Sequence, residues 1–213
     1  MKWKPVVLSL LLFFLIGSTH SQHLSQTIFE LSGLYGGIST IDISVDNVIL
    51  TMDGRGKIIS FDVLEGGEYD YFFNDVFGNR NGKIKSIGGV EIDYFTNDIF
   101  GNRTGKLMSI GDLKIDYWTN DIMGDREGKL KSIGDVGIDY WTNDIIGNRD
   151  GKLKSIGDIK IDYFTNDIFN IREGKVKSIG DITISYWTND LNGRNGLIRS
   201  IEGHSPEVFV TIQ

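Results

Sequence analysis

The sequence predicts an all-β protein in which antiparallel β-hairpin repeats of 23 residues form a curled or superhelical sheet. A tyrosine recurs at a fixed interval of 23 residues, and an Asn-Asp pair follows each tyrosine at the same interval. Short runs alternate apolar and polar residues, as strands with one buried face do, and Gly, Asn and Asp separate these runs. The repeated tyrosines are Tyr71, Tyr94, Tyr117, Tyr140, Tyr163 and Tyr186.

The N-terminus has the pattern of a secretory signal peptide, residues 1–21. Lys2 and Lys4 form a charged start, 6–16 is an apolar run, and 17–21 is a small-residue cleavage region. The apolar run is shorter than the roughly 20 residues that span a bilayer. We therefore expect a mature chain that is secreted, periplasmic or at the cell surface, with no transmembrane helix after cleavage.

Composition excludes several classes of function. Loss of Lys2 and Lys4 changes the formal net charge from −7 to −9, and the acidic residues are spread through the repeats. Binding to nucleic acid requires a clustered basic face, so nucleic acid is not an expected partner. The chain has no cysteine, which excludes thiol catalysis and cysteine metal sites. A small eukaryotic secreted domain would usually rely on disulfides, whereas an exported bacterial protein need not.

The mature chain divides into three segments according to how closely each follows the repeat. Residues 22–82 contain degenerate copies, and we expect them to be N-terminal capping repeats because terminal repeats close an open apolar face. Residues 83–196 hold five regular repeats, the last of them one residue shorter than 23. Residues 197–213 begin with a partial repeat, and 207–212 predict a closing strand.

Each repeat holds two strand-like runs joined by a hairpin loop. In one regular repeat the runs are 129–132 and 136–142. A two-residue turn at 134–135 would place charged side chains opposite apolar ones, so a three-residue loop is predicted. Either 132–134 or 133–135 can form that loop, and the sequence does not separate the two.

The longer connection between repeats is rich in Asn, Asp and Gly. Asn143 and Asp144 are typical Asx-turn residues. The glycine before each repeat lysine is expected to need a positive φ angle. These glycines are Gly82, Gly105, Gly128, Gly151 and Gly174.

Charge favours hairpins over the alternative architecture, a parallel β-solenoid. In a solenoid, Lys129 and Lys152 would stack at about 4.8 Å, and like charges directly opposite each other are destabilising. In a hairpin array an intervening strand separates the two lysines and supplies the opposite charge.

Two short motifs, Ile138-Asp139-Tyr140 and Gly151-Lys152-Leu153, recur in the hairpin unit. The unit resembles that of YD-repeat proteins, secreted bacterial arrays with a Tyr-Asp and Gly-Arg-Leu signature. Here Asp precedes Tyr and Lys replaces Arg. The resemblance covers the repeat region only, and it implies a β-hairpin sheet and secretion but no particular activity.

The pattern of titratable residues does not indicate catalysis. His23 and His204 are the only histidines after residue 21, one in each terminal segment. Carboxylate pairs such as Asp139 and Asp144 recur in successive repeats, whereas an enzyme concentrates such groups in one pocket. We therefore predict that the protein is not an enzyme and holds no cofactor.

Calcium is the one metal that the connections suggest. Loops such as 97–105 offer carboxylate, amide and backbone oxygens, which are the ligands of hard cations. An arginine follows the aspartate in every loop, however, and an Asp–Arg pair or an Asx turn explains the same residues without a metal. The arginines are Arg80, Arg103, Arg126, Arg149, Arg172 and Arg194.

Large aromatic residues on the outward face are the strongest functional feature. Aromatic side chains exposed in a line indicate a binding surface, and rings flanked by Asp and Asn suit sugars. The alternative is that these rings pack against lysine stems and fill a second core, while the inner tyrosines form the first. This aromatic row consists of Phe95, Trp118, Trp141, Phe164 and Trp187.

The sequence as a whole predicts an exported, non-enzymatic repeat protein that acts as a structural scaffold or interaction surface. A glycan-binding module that uses the aromatic row is one alternative, and an outer-membrane or surface-assembly component is another. The candidate partners are a polysaccharide or an envelope protein.

Overall fold

The computed structural model describes residues 22–76, 78–99, 102–122, 124–145 and 148–213, and the predicted signal peptide, residues 1–21, lies outside them. The described residues form seventeen β-strands and no helix. The strands are β1 (Leu24–Leu31), β2 (Ile38–Val45), β3 (Val48–Asp53), β4 (Ile58–Val63), β5 (Tyr69–Tyr71), β6 (Ile84–Ile87), β7 (Val90–Tyr94), β8 (Leu107–Ile110), β9 (Leu113–Tyr117), β10 (Leu130–Ile133), β11 (Val136–Tyr140), β12 (Leu153–Ile156), β13 (Ile159–Tyr163), β14 (Val176–Ile179), β15 (Ile182–Tyr186), β16 (Ile198–Glu202) and β17 (Val208–Ile212).

Strands β5 to β16 form one twelve-stranded sheet in which neighbours in sequence are neighbours in space. Every neighbouring pair is antiparallel. The predicted hairpin array is therefore confirmed, and the parallel solenoid is wrong. Lys154 Nζ lies 3.2 Å from Asp139 Oδ2 on the adjacent strand, so the intervening strand does supply the opposite charge.

The N-terminal strands form a second sheet. Strands β1 to β4 are successive antiparallel neighbours, and β17 joins β1 in parallel, which gives the order β17-β1-β2-β3-β4. Within the segment predicted as capping repeats, 22–82, only β5 belongs to the array. The predicted closing strand, 207–212, includes β17, which forms one edge of the small sheet. Buried residues of both sheets belong to one core cluster, so the small sheet covers a face of the array.

The hairpin turn is shorter than predicted. Ile133 pairs with Val136, so Gly134 and Asp135 alone form the turn, and the three-residue loop is wrong. Gly134 has a φ angle of 55°, and the φ angle of Asp135 is not positive. This combination is that of a type II′ turn, whose twist matches that of paired strands.

A two-residue turn would by itself place charged side chains opposite apolar ones. A β-bulge in the first strand of the hairpin prevents this. The pairing of β10 with β9 shifts register between Leu130 and Ser132, so Lys131 is an extra residue. Leu130 and Ile133 are three residues apart, yet both are buried. The same shift occurs where β6, β8, β12 and β14 pair with the preceding strand.

The longer connections have the predicted backbone. The glycine before each repeat lysine has a φ angle between 72° and 78°, which only glycine adopts readily. Asn143 also has a positive φ angle, of 55°. The backbone N–H of Arg149 donates to Asp144 Oδ2 at 3.2 Å, which ties the loop to its aspartate.

The inner tyrosines form the core, as predicted. Tyr94, Tyr117, Tyr140 and Tyr163 are all at most 7% exposed. Lys129 Nζ lies 4.9 Å from the centre of the Tyr140 ring and is positioned by donation to a backbone carbonyl at the next repeat boundary. Lys129 therefore covers the ring of Tyr140 in its own hairpin. The same lysine also holds the loop that follows this hairpin.

Direct backbone contacts join the two sheets. The N–H of Leu130 donates to the carbonyl of Gly56 at 3.1 Å, and the N–H of Val176 donates to the carbonyl of Gly36 at 2.9 Å. The Tyr186 hydroxyl also donates to the carbonyl of Gly36, at 3.2 Å. The loops at the ends of β1 and β3 thus anchor the small sheet on the tyrosine face.

Candidate functional site

Each member of the aromatic row directly follows the tyrosine that ends a second hairpin strand, and its ring is half-buried. Four of the five rings pack against the tyrosine core, so the row does not form a separate outward face. Trp118 Nε1 donates to the carbonyl of Ile138 at 3.1 Å, and Trp141 Nε1 makes the equivalent bond at 3.3 Å to the next repeat. The Phe95 ring packs edge-on against Tyr117 of the following repeat, with ring centroids 6.2 Å apart. These contacts make Phe95, Trp118 and Trp141 part of the joint between two repeats.

An arginine covers one face of each ring in the row. The guanidinium carbon of Arg126 lies 4.0 Å from the centre of the Trp118 ring, and Arg149 lies 3.8 Å from Trp141. The same stacking occurs at Phe95, Phe164 and Trp187. A cation over an aromatic face is an attractive contact, so the surface predicted to receive a sugar ring already has an intramolecular partner on one side.

The loop carboxylates are held by the same arginines. Asp121 has a side chain only 2% exposed, and it accepts hydrogen bonds from Arg126 Nη2 at 2.9 Å and from the Arg126 backbone N–H at 2.8 Å. Arg126 Nη1 reaches on to Asp139 Oδ1 at 3.4 Å. The hydrogen bond from the Arg126 side chain holds the pKa of Asp121 below its usual range. These residues form an Asp–Arg–Asp chain across the strands.

This chain of charges bears on the calcium hypothesis. The aspartates that would ligate calcium are bound to arginines in successive loops, as at Asp75 with Arg80 and Asp167 with Arg172. In the part of the chain that the structure describes, no three His, Asp or Glu side chains are grouped so as to hold a metal ion. His23 and His204 are both exposed and lie outside the repeats.

Sequence reasoning missed a row of exposed aliphatic residues at the tips of the long connections. We call this set the loop-tip row, and each member is at least 89% exposed. Successive loops are two strands apart, roughly 10 Å, so the row extends over roughly 50 Å along one edge of the array. The loop-tip row consists of Val76, Ile99, Ile122, Ile145, Ile168 and Leu191.

The signal for this row was present in the sequence. An aliphatic residue directly follows each Asn-Asp pair at the same interval as the tyrosines, inside loops that are otherwise polar. Single exposed apolar residues are ordinary, but here the same position is apolar in six successive loops. Among the described residues, side-chain exposure shows that this row of apolar residues faces water.

A cleft of about 490 Å³ opens between strand β4 of the small sheet and the first repeats of the array. Ile58 and Phe61 lie on one side of the cleft, and Tyr94, Leu107 and Tyr117 lie on the other. Burial lowers the pKa of Lys106, which also lines the cleft. The cleft is thus an apolar gap where the small sheet ends above the wider array.

Comparison of this chain with family models, curated proteins and solved structures found no match. The resemblance to YD-repeat proteins stays a prediction. Among the residues described, there is no helix with the length and apolar character required to cross a membrane.

Proposed function

We propose that this chain is an exported, non-enzymatic scaffold that presents a repeated apolar interaction surface at its loop tips. The loop-tip row carries this proposal, because six nearly fully exposed aliphatic side chains recur at one edge of the sheet. Leaving so much apolar surface in water is unfavourable unless a partner covers it. An envelope protein with an extended apolar groove fits the spacing of the row, and several weak contacts along it would add to one strong attachment.

The polar groups of the repeats support a structural role. Arg126 stacks on Trp118 while it pairs with Asp121 and Asp139, and Arg103 and Arg149 repeat this arrangement in the neighbouring repeats. Each such group is therefore engaged in holding one repeat to the next. Identical arrangements in successive repeats suit a rigid support and a multivalent surface better than a single reactive pocket.

Polar substitution at the loop tips is expected to abolish attachment while leaving the fold intact. A variant with Ile99→Ser, Ile122→Ser and Ile145→Ser should bind an envelope fraction of the source organism at least about tenfold more weakly, since each buried isoleucine contributes on the order of 1.5–3 kcal/mol. Co-sedimentation measures the retained fraction, and thermal melting verifies folding.

The matched control carries Glu91→Ser, Lys114→Ser and Lys160→Ser, three exposed residues of interior strands. This control should bind like the parent. Failure of the parent to bind the envelope, or equal binding of the loop-tip variant, would show that the row is not the attachment surface.

Glycan binding at the end of the aromatic row is a second candidate function. A cleft of about 390 Å³ opens beside Trp187, and it combines hydroxyl groups with both signs of charge, as sugar sites do. The other lining residues are Thr183, Ser185, Arg199, Ser200 and Glu202.

This second candidate predicts that Trp187→Ala weakens retention on immobilised polysaccharides by about tenfold, the loss of one aromatic stacking contact. Trp141→Ala is the control, because that ring bonds Ile161 within the array. Equal retention of both variants, or no retention of the parent, would remove the glycan hypothesis.

A further inference from the structure

The two ends of the twelve-stranded sheet are complementary halves of one hairpin. The last strand, β16, has the sequence of a first hairpin strand, since Ile198-Arg199-Ser200-Ile201 matches Val176-Lys177-Ser178-Ile179. The first strand, β5, has the sequence of a second hairpin strand, since Tyr69-Asp70-Tyr71 matches Ile92-Asp93-Tyr94. Each of these end strands pairs on one side only. The array thus begins with half a hairpin and ends with the other half.

Side chains at the β16 end lack the partners that the same positions have inside the array. Trp118 and Trp141 donate through Nε1 to the next hairpin, but Trp187 Nε1 has no such acceptor among the described residues. Arg126 Nη1 reaches Asp139 of the following hairpin, whereas Arg194 bonds, among the described residues, Asp190 of its own loop alone. Arg172 likewise pairs with Asp167, because Ser185 stands where the earlier repeats have an aspartate. The Arg194 side chain is accordingly 43% exposed, against 26% for Arg126.

Side chains at the β5 end lack the reciprocal partners. Asp70 pairs with Lys85, as its equivalents pair with the following lysine, but no arginine reaches it from a preceding loop within the described chain. Tyr69 and Tyr71 are 47% and 40% exposed, although their equivalents Ile92 and Tyr94 are buried. Apolar side chains that the interior repeats bury are therefore left in water at this end.

Charge distinguishes the two ends. Glu68 and Asp70 lie at the β5 end. Arg194 and Arg199 lie at the β16 end, where Asp190 pairs with Arg194 and Glu202 is the last residue of the strand. Opposite charges stabilise strands that face each other, and like charges oppose such pairing. The charges therefore favour pairing of β16 in one copy with β5 in another copy. They disfavour pairing of β16 with β16 or of β5 with β5.

We infer that strand β16 of one copy pairs antiparallel with strand β5 of a second copy, which continues the array head to tail. The register of the interior hairpins places Ile201 opposite Gly67, and Ser200 opposite Glu68, of the second copy. Arg194 then reaches Asp70 of the second copy. A head-to-tail contact of this kind generates rings or open filaments. This inference rests on the proposed scaffold function, because it extends the loop-tip row from one copy to the next.

Cysteine cross-linking tests the register directly, because the chain contains no cysteine. Facing residues of a non-hydrogen-bonded antiparallel pair lie at a Cα separation of about 4.5 Å, which a disulfide spans. A mixture of Ser200→Cys and Glu68→Cys proteins should form a disulfide heterodimer on mild oxidation. In the control mixture, Ser178→Cys replaces Ser200→Cys, and no excess of heterodimer is expected, because Ser178 already faces Thr183 within the sheet.

Sedimentation of the parent protein provides the second measurement. The average mass should rise with concentration, and Asp70→Lys should weaken this association at least about tenfold, because it places a cation against Arg194. Lys160→Glu, at an exposed interior position, should not change it. A parent that stays monomeric, or equal cross-linking in the two mixtures, would overturn the inference. A monomer that still binds the envelope through its loop tips would contradict the head-to-tail pairing and leave the proposed function standing. Assembly without envelope binding would support the pairing and contradict the proposed function.

Discussion

Raising the pH above about 10 is expected to unfold this protein in one steep transition, because the tyrosines of its core must then lose their protons. Burial raises the pKa of Tyr94 to about 12. The pKa values of Tyr117, Tyr140, Tyr163 and Tyr186 are also raised, and burial is again the largest cause. An unfolded tyrosine ionises near pH 10, so the folded chain binds more protons than the unfolded chain above that pH.

The sign of the effect follows from this difference in bound protons. The contribution of the tyrosines to stability is complete below pH 10 and decreases as the pH rises toward the folded pKa values. The loss is about 1.4 kcal/mol for each pH unit and each tyrosine that stays protonated in the fold. Burial lowers the pKa of lysines such as Lys129 and Lys152, which favours folding as they deprotonate, but that gain ends near pH 10.4.

Two optical signals measure this transition. Tyrosinate absorbance of the buried residues and the loss of far-ultraviolet circular dichroism should occur together, because the rings ionise only when the sheets separate. Ionisation of the five core tyrosines one by one, with the β-structure retained well above pH 10, would contradict the expectation.

Replacing Tyr140 by alanine is expected to cost about 3–5 kcal/mol of unfolding free energy, in the range of large aromatic truncations in cores. Tyr140 is 1% exposed and lies where the two sheets meet. A Cβ atom built on Gly56 of the small sheet would lie only 1.9 Å from the Tyr140 hydroxyl, which shows how closely the sheets approach here. The variant would leave a cavity at this contact, and urea unfolding measures the loss.

Phenylalanine substitutions separate the ring from the hydroxyl. The Tyr140 hydroxyl is buried and has no hydrogen-bond partner among the described residues, so Tyr140→Phe should match or exceed the parent stability, by up to about 1 kcal/mol. The Tyr186 hydroxyl shares its one proton between the carbonyls of Val176, at 2.8 Å, and Gly36, at 3.2 Å, so Tyr186→Phe should cost about 1–2 kcal/mol. Equal effects of the two substitutions would contradict the hydrogen-bond assignment.

The hairpin array was predictable because its signals are local and repeated. Alternation placed Ile138 and Tyr140 on one face, and the glycine before each lysine marked a backbone with positive φ. The turn length was not predictable in the same way. An extra residue at Lys131 shifts the register of its strand, and a bulge is a property of two paired strands that one strand does not show.

The candidate surfaces were predicted only in part. The aromatic row was found, but the stacking of Arg126 on Trp118 and the bond from Trp118 to Ile138 depend on how one loop folds over the next repeat. The loop-tip row was overlooked because apolar residues within a polar loop carry no strand periodicity. Only the exposure of residues such as Ile122 showed that these side chains face water.

The sequence by itself determined that a two-stranded unit repeats along the chain, which face of each strand is apolar, and where the backbone turns. It did not determine what covers that apolar face. The tertiary structure decided that strands β1 to β4 and β17 lie on the tyrosines, through contacts such as Tyr186 with Gly36, 150 residues apart. Alternation specifies that one face is buried, but the surface that buries it depends on long-range contacts, for which this sequence carries no local signal.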